Sequence, residues 1–145
     1  MLDLLDRVLL LKNTDVFSDI KTENLTVVAK ALEERHFQQG TIIFEENDYG
    51  DEMFIIVSGE VGILKGEKQT KTFLAQLTAG ECFGEMGLLD DRPRSASVQT
   101  LQDTHVLSLE KDRLRTLVIR YPELAFGMLK SMSARLRHAN DLLEK

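Results

Sequence analysis

The residues with the most chemical content form one contiguous segment, Gly80-Glu81-Cys82-Phe83-Gly84-Glu85-Met86-Gly87-Leu88-Leu89-Asp90-Asp91-Arg92-Pro93-Arg94-Ser95-Ala96-Ser97-Val98. It lies between two runs of strand character, where an antiparallel barrel needs only a short turn, so the insertion has a task beyond connection. Residues 84 to 89 can form one helical turn, whose leading N–H groups have no intrahelical partner and attract anions. Gly84 and Gly87 let that backbone come close to a ligand. Arg94, given its direction by Pro93 and entering the next strand at Ser95, offers an always-protonated guanidinium with forked donors that suit a phosphate. Glu85 would be unfavourable beside an anion unless it serves a different group, and a sugar hydroxyl that donates to the carboxylate is such a group. An anion and a sugar hydroxyl held together describe a nucleotide.

The remaining reactive residue types have plainer readings. Asp90 and Asp91 are expected to be exposed turn formers rather than a cation site, and Arg92 a solvated cation. His36, His105 and His138 are isolated along the sequence with no two at a ligand spacing, which argues against a metal-dependent barrel enzyme. Cys82 has no histidine near it in sequence and reads as a buried filler rather than a nucleophile. Ser95 and Ser97 lack the strained elbow of a hydrolase serine. No catalytic residue, metal or cofactor is expected.

The elements that must carry this segment follow from periodicity. Residues 2–11 place Leu2, Leu5 and Leu9 on one side, predicting a helix whose apolar stripe packs on something. Leu25, Val28, Ala29 and Leu32 predict a second helix over 22–34, with Thr22 as its N-cap. From Glu34 the period changes to short Ile-, Val-, Phe- and Thr-rich runs at 35–38, 41–45, 53–57, 61–65, 71–77, 95–100 and 105–109, punctuated by Gly40, Gly50, Gly59, Gly66 and Gly80. Helical spacing returns over 112–121 and again past Pro122 to the C-terminus. The predicted fold is therefore mainly β with flanking helices: an antiparallel jelly-roll β-barrel over 35–109, N-terminal helices over 1–34 and C-terminal helices over 110–145, in a single domain. Leu129, Met132, Leu136, Ala139 and Leu143 form a heptad-like seam, which suits either a helix lying on the barrel or pairing with a second copy in a homodimer.

Composition sets the outer limits. A chain of 145 residues, 43% hydrophobic and 29% charged, suits one globular domain of ordinary make-up. Eighteen Lys and Arg against twenty-four Asp and Glu leave a net charge of −6 with no basic block, so a nucleic-acid backbone is repelled overall. The single cysteine and the lack of a secretory start fit a reducing, cytoplasmic setting. The longest strictly apolar run, Val8 to Leu11, is far short of the roughly 20 residues a membrane helix needs.

Phe83-Gly84-Glu85, Leu88-Leu89 and Pro93-Arg94-Ser95-Ala96 together resemble the phosphate-binding cassette of the cyclic nucleotide-binding domain family, over residues 83–97. The likeness extends through Gly40, Ile43, the Asp48-Tyr49-Gly50-Asp51 turn, Phe54-Ile55-Ile56 and Ser58-Gly59, and so covers nearly the whole chain. The resemblance implies a receptor for cAMP or cGMP, with cAMP favoured. It assigns Glu85 to the ribose 2′-OH and Arg94 to the cyclic phosphate. The N–H groups of Gly84, Gly87 and Ala96 and the hydroxyl of Ser95 would complete the cradle, with Phe83 and Met86 as further contacts. Gly87 stands where the family commonly has Ala, and Asn47 where a Gly is usual.

The resemblance also implies that the last helix covers the base as a lid, with Arg135, Arg137, His138 and Asn140 as candidates. Ligand binding would then switch the position of the C-terminal helices and signal to a downstream effector protein. The catabolite activator regulators of this family continue into a helix-turn-helix domain, whereas this chain stops at Lys145, so DNA binding is not expected of it alone. A barrel that keeps the cassette shape but serves only as a protein-interaction piece is the competing reading.

Overall fold

The computed structural model describes residues 2–66 and 70–144; Met1, Lys145 and residues 67–69 lie outside them, so the predicted C-terminal helix is followed only to 144. The chain divides into two compact units, a helical one of residues 1–31 and 113–145 and a β one of residues 32–112.

The described residues of the β unit form eight strands in two four-stranded antiparallel sheets: β1 Glu33–Phe37, β2 Ile42–Phe44, β3 Glu52–Ser58, β4 Glu60–Lys65, β5 Thr72–Thr78, β6 Cys82–Phe83, β7 Ser97–Thr100 and β8 Thr104–Glu110. The orders β1-β8-β3-β6 and β2-β7-β4-β5 are those of a jelly roll, as predicted. Alternation along the strands turns Phe54, Ile56 and Val106 of one sheet and Val61 and Val98 of the other into a shared core with Phe83. The rings of Phe54 and Phe83 stack at 5.0 Å.

Strand bounds differ from the predicted ones by a residue or two, with two informative exceptions. The pair Cys82–Phe83 is an additional short strand on β3, with Phe54 opposite Phe83. Conversely, β7 starts at Ser97 rather than Ser95, because the backbone of Arg94 is engaged elsewhere. Its N–H donates to Asp48 O at 2.7 Å and its carbonyl accepts from Asn47 N–H at 2.8 Å. Asn47 has φ 73°, the left-handed region that Asn tolerates better than other side chains, which accounts for Asn serving where a Gly is usual.

Between β6 and β7, α3 Glu85–Leu89 is the short helical turn foreseen at 84–89. Lys111–Arg120 forms α4, which opens within the stretch from 110 onward expected to be helical. The histidines are not all isolated: register places His36 opposite His105, with ring centroids 4.2 Å apart, and His105 Nε2 is 3.0 Å from a Glu34 carboxylate oxygen. Among the described residues no group of three metal-ligating side chains assembles.

In the helical unit, α1 Leu4–Lys12 is closed by a reciprocal cap between Asp3 and Asp6. Its buried residues are Val8 and Leu11, whereas Leu5 and Leu9 are 66% and 53% exposed. The predicted stripe was the wrong face, since leucines surround this helix and periodicity alone does not select among them. The second helix, α2 Thr22–Ala31, starts at the first residue of the predicted stretch, but Lys21 O accepts from Leu25 N–H at 3.0 Å, so Lys21 and not Thr22 holds the cap position. It ends at Ala31 instead of Glu34 because Glu33 already pairs with β8. The last helix, α5 Glu123–Leu143, passes so close to the 16–20 segment that a Cβ on Gly127 would meet Ile20 Cγ1 at 2.5 Å. No helix of the described residues is long and apolar enough to cross a membrane.

Candidate functional site

A cavity of about 380 Å³ opens within the β unit, between the 82–96 segment and the inner strands. All eight residues singled out in the segment line it: Phe83, Gly84, Glu85, Met86, Gly87, Arg94, Ser95 and Ala96. Phe44, Ile63, Leu77 and Val98 supply apolar walls that sequence reading did not assign. The cavity therefore has an apolar floor for a flat organic group and a polar rim, the usual division of a small-molecule site.

Arg94 organises the rim. Its residue is only 7% exposed, and its guanidinium lies 4.1 Å over the Phe44 ring. Nη1 donates to Gly84 O at 3.1 Å and Nη2 to Glu52 O at 2.8 Å, while Nε has no hydrogen-bond partner among the described residues. Burial lowers the pKa of this guanidinium below its ordinary value, and the charges of Glu52, Asp51, Asp48 and Glu85 oppose that shift in turn. An arginine is still charged under such conditions, so the residue that lines the cavity is a buried cation whose Nε keeps a donor to spare.

Three glycines form the socket around that cation. A Cβ at Gly50 would fall 2.4 Å from Nη2, and at Gly84 or Gly87 it would fall 2.8 or 2.9 Å from Nη1. The role expected for Gly84 and Gly87, close approach of a ligand, is thus taken in the first instance by Arg94 itself. Gly84 also has φ 77° at the entry to α3 and provides no side-chain cap for that turn. Gly87 in place of Ala is explained by the same crowding, because its Cβ would also press on Gly50 O at 3.2 Å.

The other predicted residues are less uniform. Glu85 is half-buried at the cavity wall, and Met86 is 64% exposed at its edge. The Phe83 ring belongs to the core stack described above while bordering the cavity. Ser95 is exposed, and its carbonyl accepts from Lys65 Nζ at 3.0 Å. Asp90 is not simply an exposed turn former: it is half-buried, borders the cavity, and its carboxylate accepts from Arg92 N–H at 3.0 Å. Cys82 is half-buried rather than fully buried. Arg135, Arg137, His138 and Asn140 are all exposed on α5, in the helical unit, whereas the cavity is wholly a feature of the β unit.

Comparison with known proteins agrees with the geometry. Residues 34–121 match the model of the cyclic nucleotide-binding domain. The chain is 32% identical over 134 residues to the Cyclic AMP receptor protein of Thermus thermophilus, covering 90% of this chain and 61% of that protein. It is also 32% identical over 119 residues to a cAMP-dependent protein kinase regulatory subunit of Dictyostelium discoideum, covering 79% of this chain and 35% of the subunit. Among solved structures, the N-terminal domain of a transcriptional regulator from Streptomyces coelicolor superposes with a TM-score of 0.83 at 26% identity, covering 92% of this chain and 94% of that one. The chain spans about three fifths of the length of the first of these curated relatives.

Proposed function

The chain belongs to the cyclic nucleotide-binding domain family, and from that membership we propose that it is a cytoplasmic sensor that holds a cyclic nucleotide, cAMP in preference to cGMP, without transforming it. The observation that carries this reading is Arg94: a buried, charged guanidinium with an unpartnered Nε, lining a cavity whose wall also carries Glu85. In this reading the cyclic phosphate takes the free donor of Arg94 and the N–H groups of Gly84, Gly87 and Ala96, with Ser95 beside them. Glu85 accepts the ribose 2′-OH, and Phe83 and Met86 border the sugar and base. The names of the Thermus and Dictyostelium relatives support cAMP as the preferred ligand.

Calorimetric titration tests it. The expected result is micromolar cAMP binding, about −8.2 kcal/mol, with cGMP roughly tenfold weaker and adenosine silent because it lacks the anion. No heat with either cyclic nucleotide would leave the protein-interaction reading in its place, and equal affinities would remove the base preference.

The output is a movement of α4 and α5 on binding, with Arg135, Arg137, His138 or Asn140 covering the base, read by a downstream effector protein. Such a switch requires the ligand to prefer one arrangement of the helices energetically. Leu129, Leu136 and Leu143 of the seam are 63%, 64% and 84% exposed, which supports a homodimer through α5. Leu136→Glu is expected to halve the particle mass measured by light scattering, and an unchanged mass would overturn the dimer.

A further inference from the structure

Lys111 stands outside the 83–97 segment yet touches both sides of its frame. Its Nζ donates to Asp90 O and to an Asp91 carboxylate oxygen, each at 2.6 Å, and its backbone N–H donates to Asp51 O, also at 2.6 Å. Asp90 closes α3, with its N–H on Met86 O. Asp51 precedes Glu52, whose carbonyl holds Nη2 of Arg94. One residue thereby ties the end of α3 to the start of β3, the two backbone stretches between which the Arg94 guanidinium lies.

The two partners of the ammonium are not equivalent. The Lys111 side chain is 18% exposed and that of Asp91 is 97% exposed, so solvent screens the ion pair while the bond to Asp90 O is sheltered. A cation on a carbonyl just past the end of a helix is also favourably placed against the helix dipole. The tip needs this support, because between Asp90 and Ser97 no strand ladder holds the chain. Lys111 is at the same time the first residue of α4, so its backbone lies within the first turn of that helix, one residue past the carbonyl that opens it.

We propose that Lys111 is a positioning residue for the phosphate segment, fixing the Asp90 tip and the Asp51 strand start around Arg94 and making the first turn of α4 share their state. The proposal rests on the reading of residues 83–97 as a phosphate-binding segment, but its first test does not need a ligand. Hydrogen–deuterium exchange of the full chain would compare the wild type with Lys111→Met, which keeps the stem without the charge, Lys111→Arg and Asp91→Asn.

In Lys111→Met, amides 90–92 and 115–116 are expected to exchange together about tenfold faster, equivalent to about 1.4 kcal/mol. The β3 and β8 ladders should be unchanged, Lys111→Arg should recover most of the protection, and Asp91→Asn should behave as wild type. Exchange that rises in one segment and not the other, or an Asp91→Asn that matches Lys111→Met, would overturn the shared tie. A calorimetric arm with cAMP then reads the consequence: about tenfold weaker binding by Lys111→Met alone is expected, and equal affinity would overturn the positioning role. Failure of the wild type to bind cAMP or cGMP would refute the phosphate reading while leaving the exchange result to stand or fall separately.

Discussion

Arg94→Leu is expected to bind cAMP weaker by roughly 100-fold or more, since each charge-assisted hydrogen bond to phosphate is worth about 1.5–3 kcal/mol and each 1.4 kcal/mol is tenfold. The loss is large because the donor is already in place. The guanidinium is fixed by Gly84 O, Glu52 O and the Phe44 face, so the ligand does not have to order it. Arg94→Lys keeps the charge but not the fork, and should fall between wild type and leucine. Folding is a separate question. The leucine variant removes the guanidinium donors from Gly84 O and Glu52 O, at about 1–3 kcal/mol for a carbonyl left bare, but it also ends the desolvation of a buried cation. The variant should therefore fold with a lowered midpoint, measured by thermal unfolding beside the titration. Binding within threefold of wild type by a folded Arg94→Leu would remove Arg94 from the phosphate.

The contrast between Arg94 and its surroundings shows what a sequence does and does not disclose. The segment from Phe83 to Ala96 was legible because its candidate binding residues are neighbours along the chain, where type and spacing can be read directly. The jelly roll was legible because short alternating runs separated by glycines leave few other closed arrangements. The rest of the site depends on partners distant in sequence. Glu52 and Asp51 contribute carbonyls, which every residue possesses, so nothing in their side chains announces the role. Phe44, Ile63, Leu77 and Val98 are ordinary inward-facing strand residues, and alternation does not say which of them border a cavity. His36 and His105 meet only through the β1–β8 register, and the inward face of α1 is chosen by what packs on it, since its leucines point in every direction. Lys65 and Lys111 were unremarked because a lysine at a strand or helix end is ordinarily solvated.

The socket makes a sharper claim than the arginine alone, and Gly50 isolates it. Gly50→Ala is expected to weaken cAMP binding by roughly 10–100-fold, the equivalent of about 1.4–2.8 kcal/mol, and to lower the unfolding midpoint no more than Arg94→Leu does. The new Cβ would lie 2.4 Å from Nη2, 2.5 Å from Nε and 2.7 Å from Cζ of Arg94, distances at which the guanidinium must leave. Gly50 does not occupy the left-handed region, so alanine meets no backbone penalty there, and a flexible side chain can vacate the space. What is lost is the held position: the bonds to Gly84 O and Glu52 O and the approach to Phe44. The double variant decides whether this is the route. In Arg94→Leu there is no guanidinium to evict, so adding Gly50→Ala should change affinity by less than about threefold, a strongly non-additive pair. If the two losses instead multiply, Gly50 acts through the 47–51 turn independently of the arginine, and a three-glycine socket is not what prepares the site.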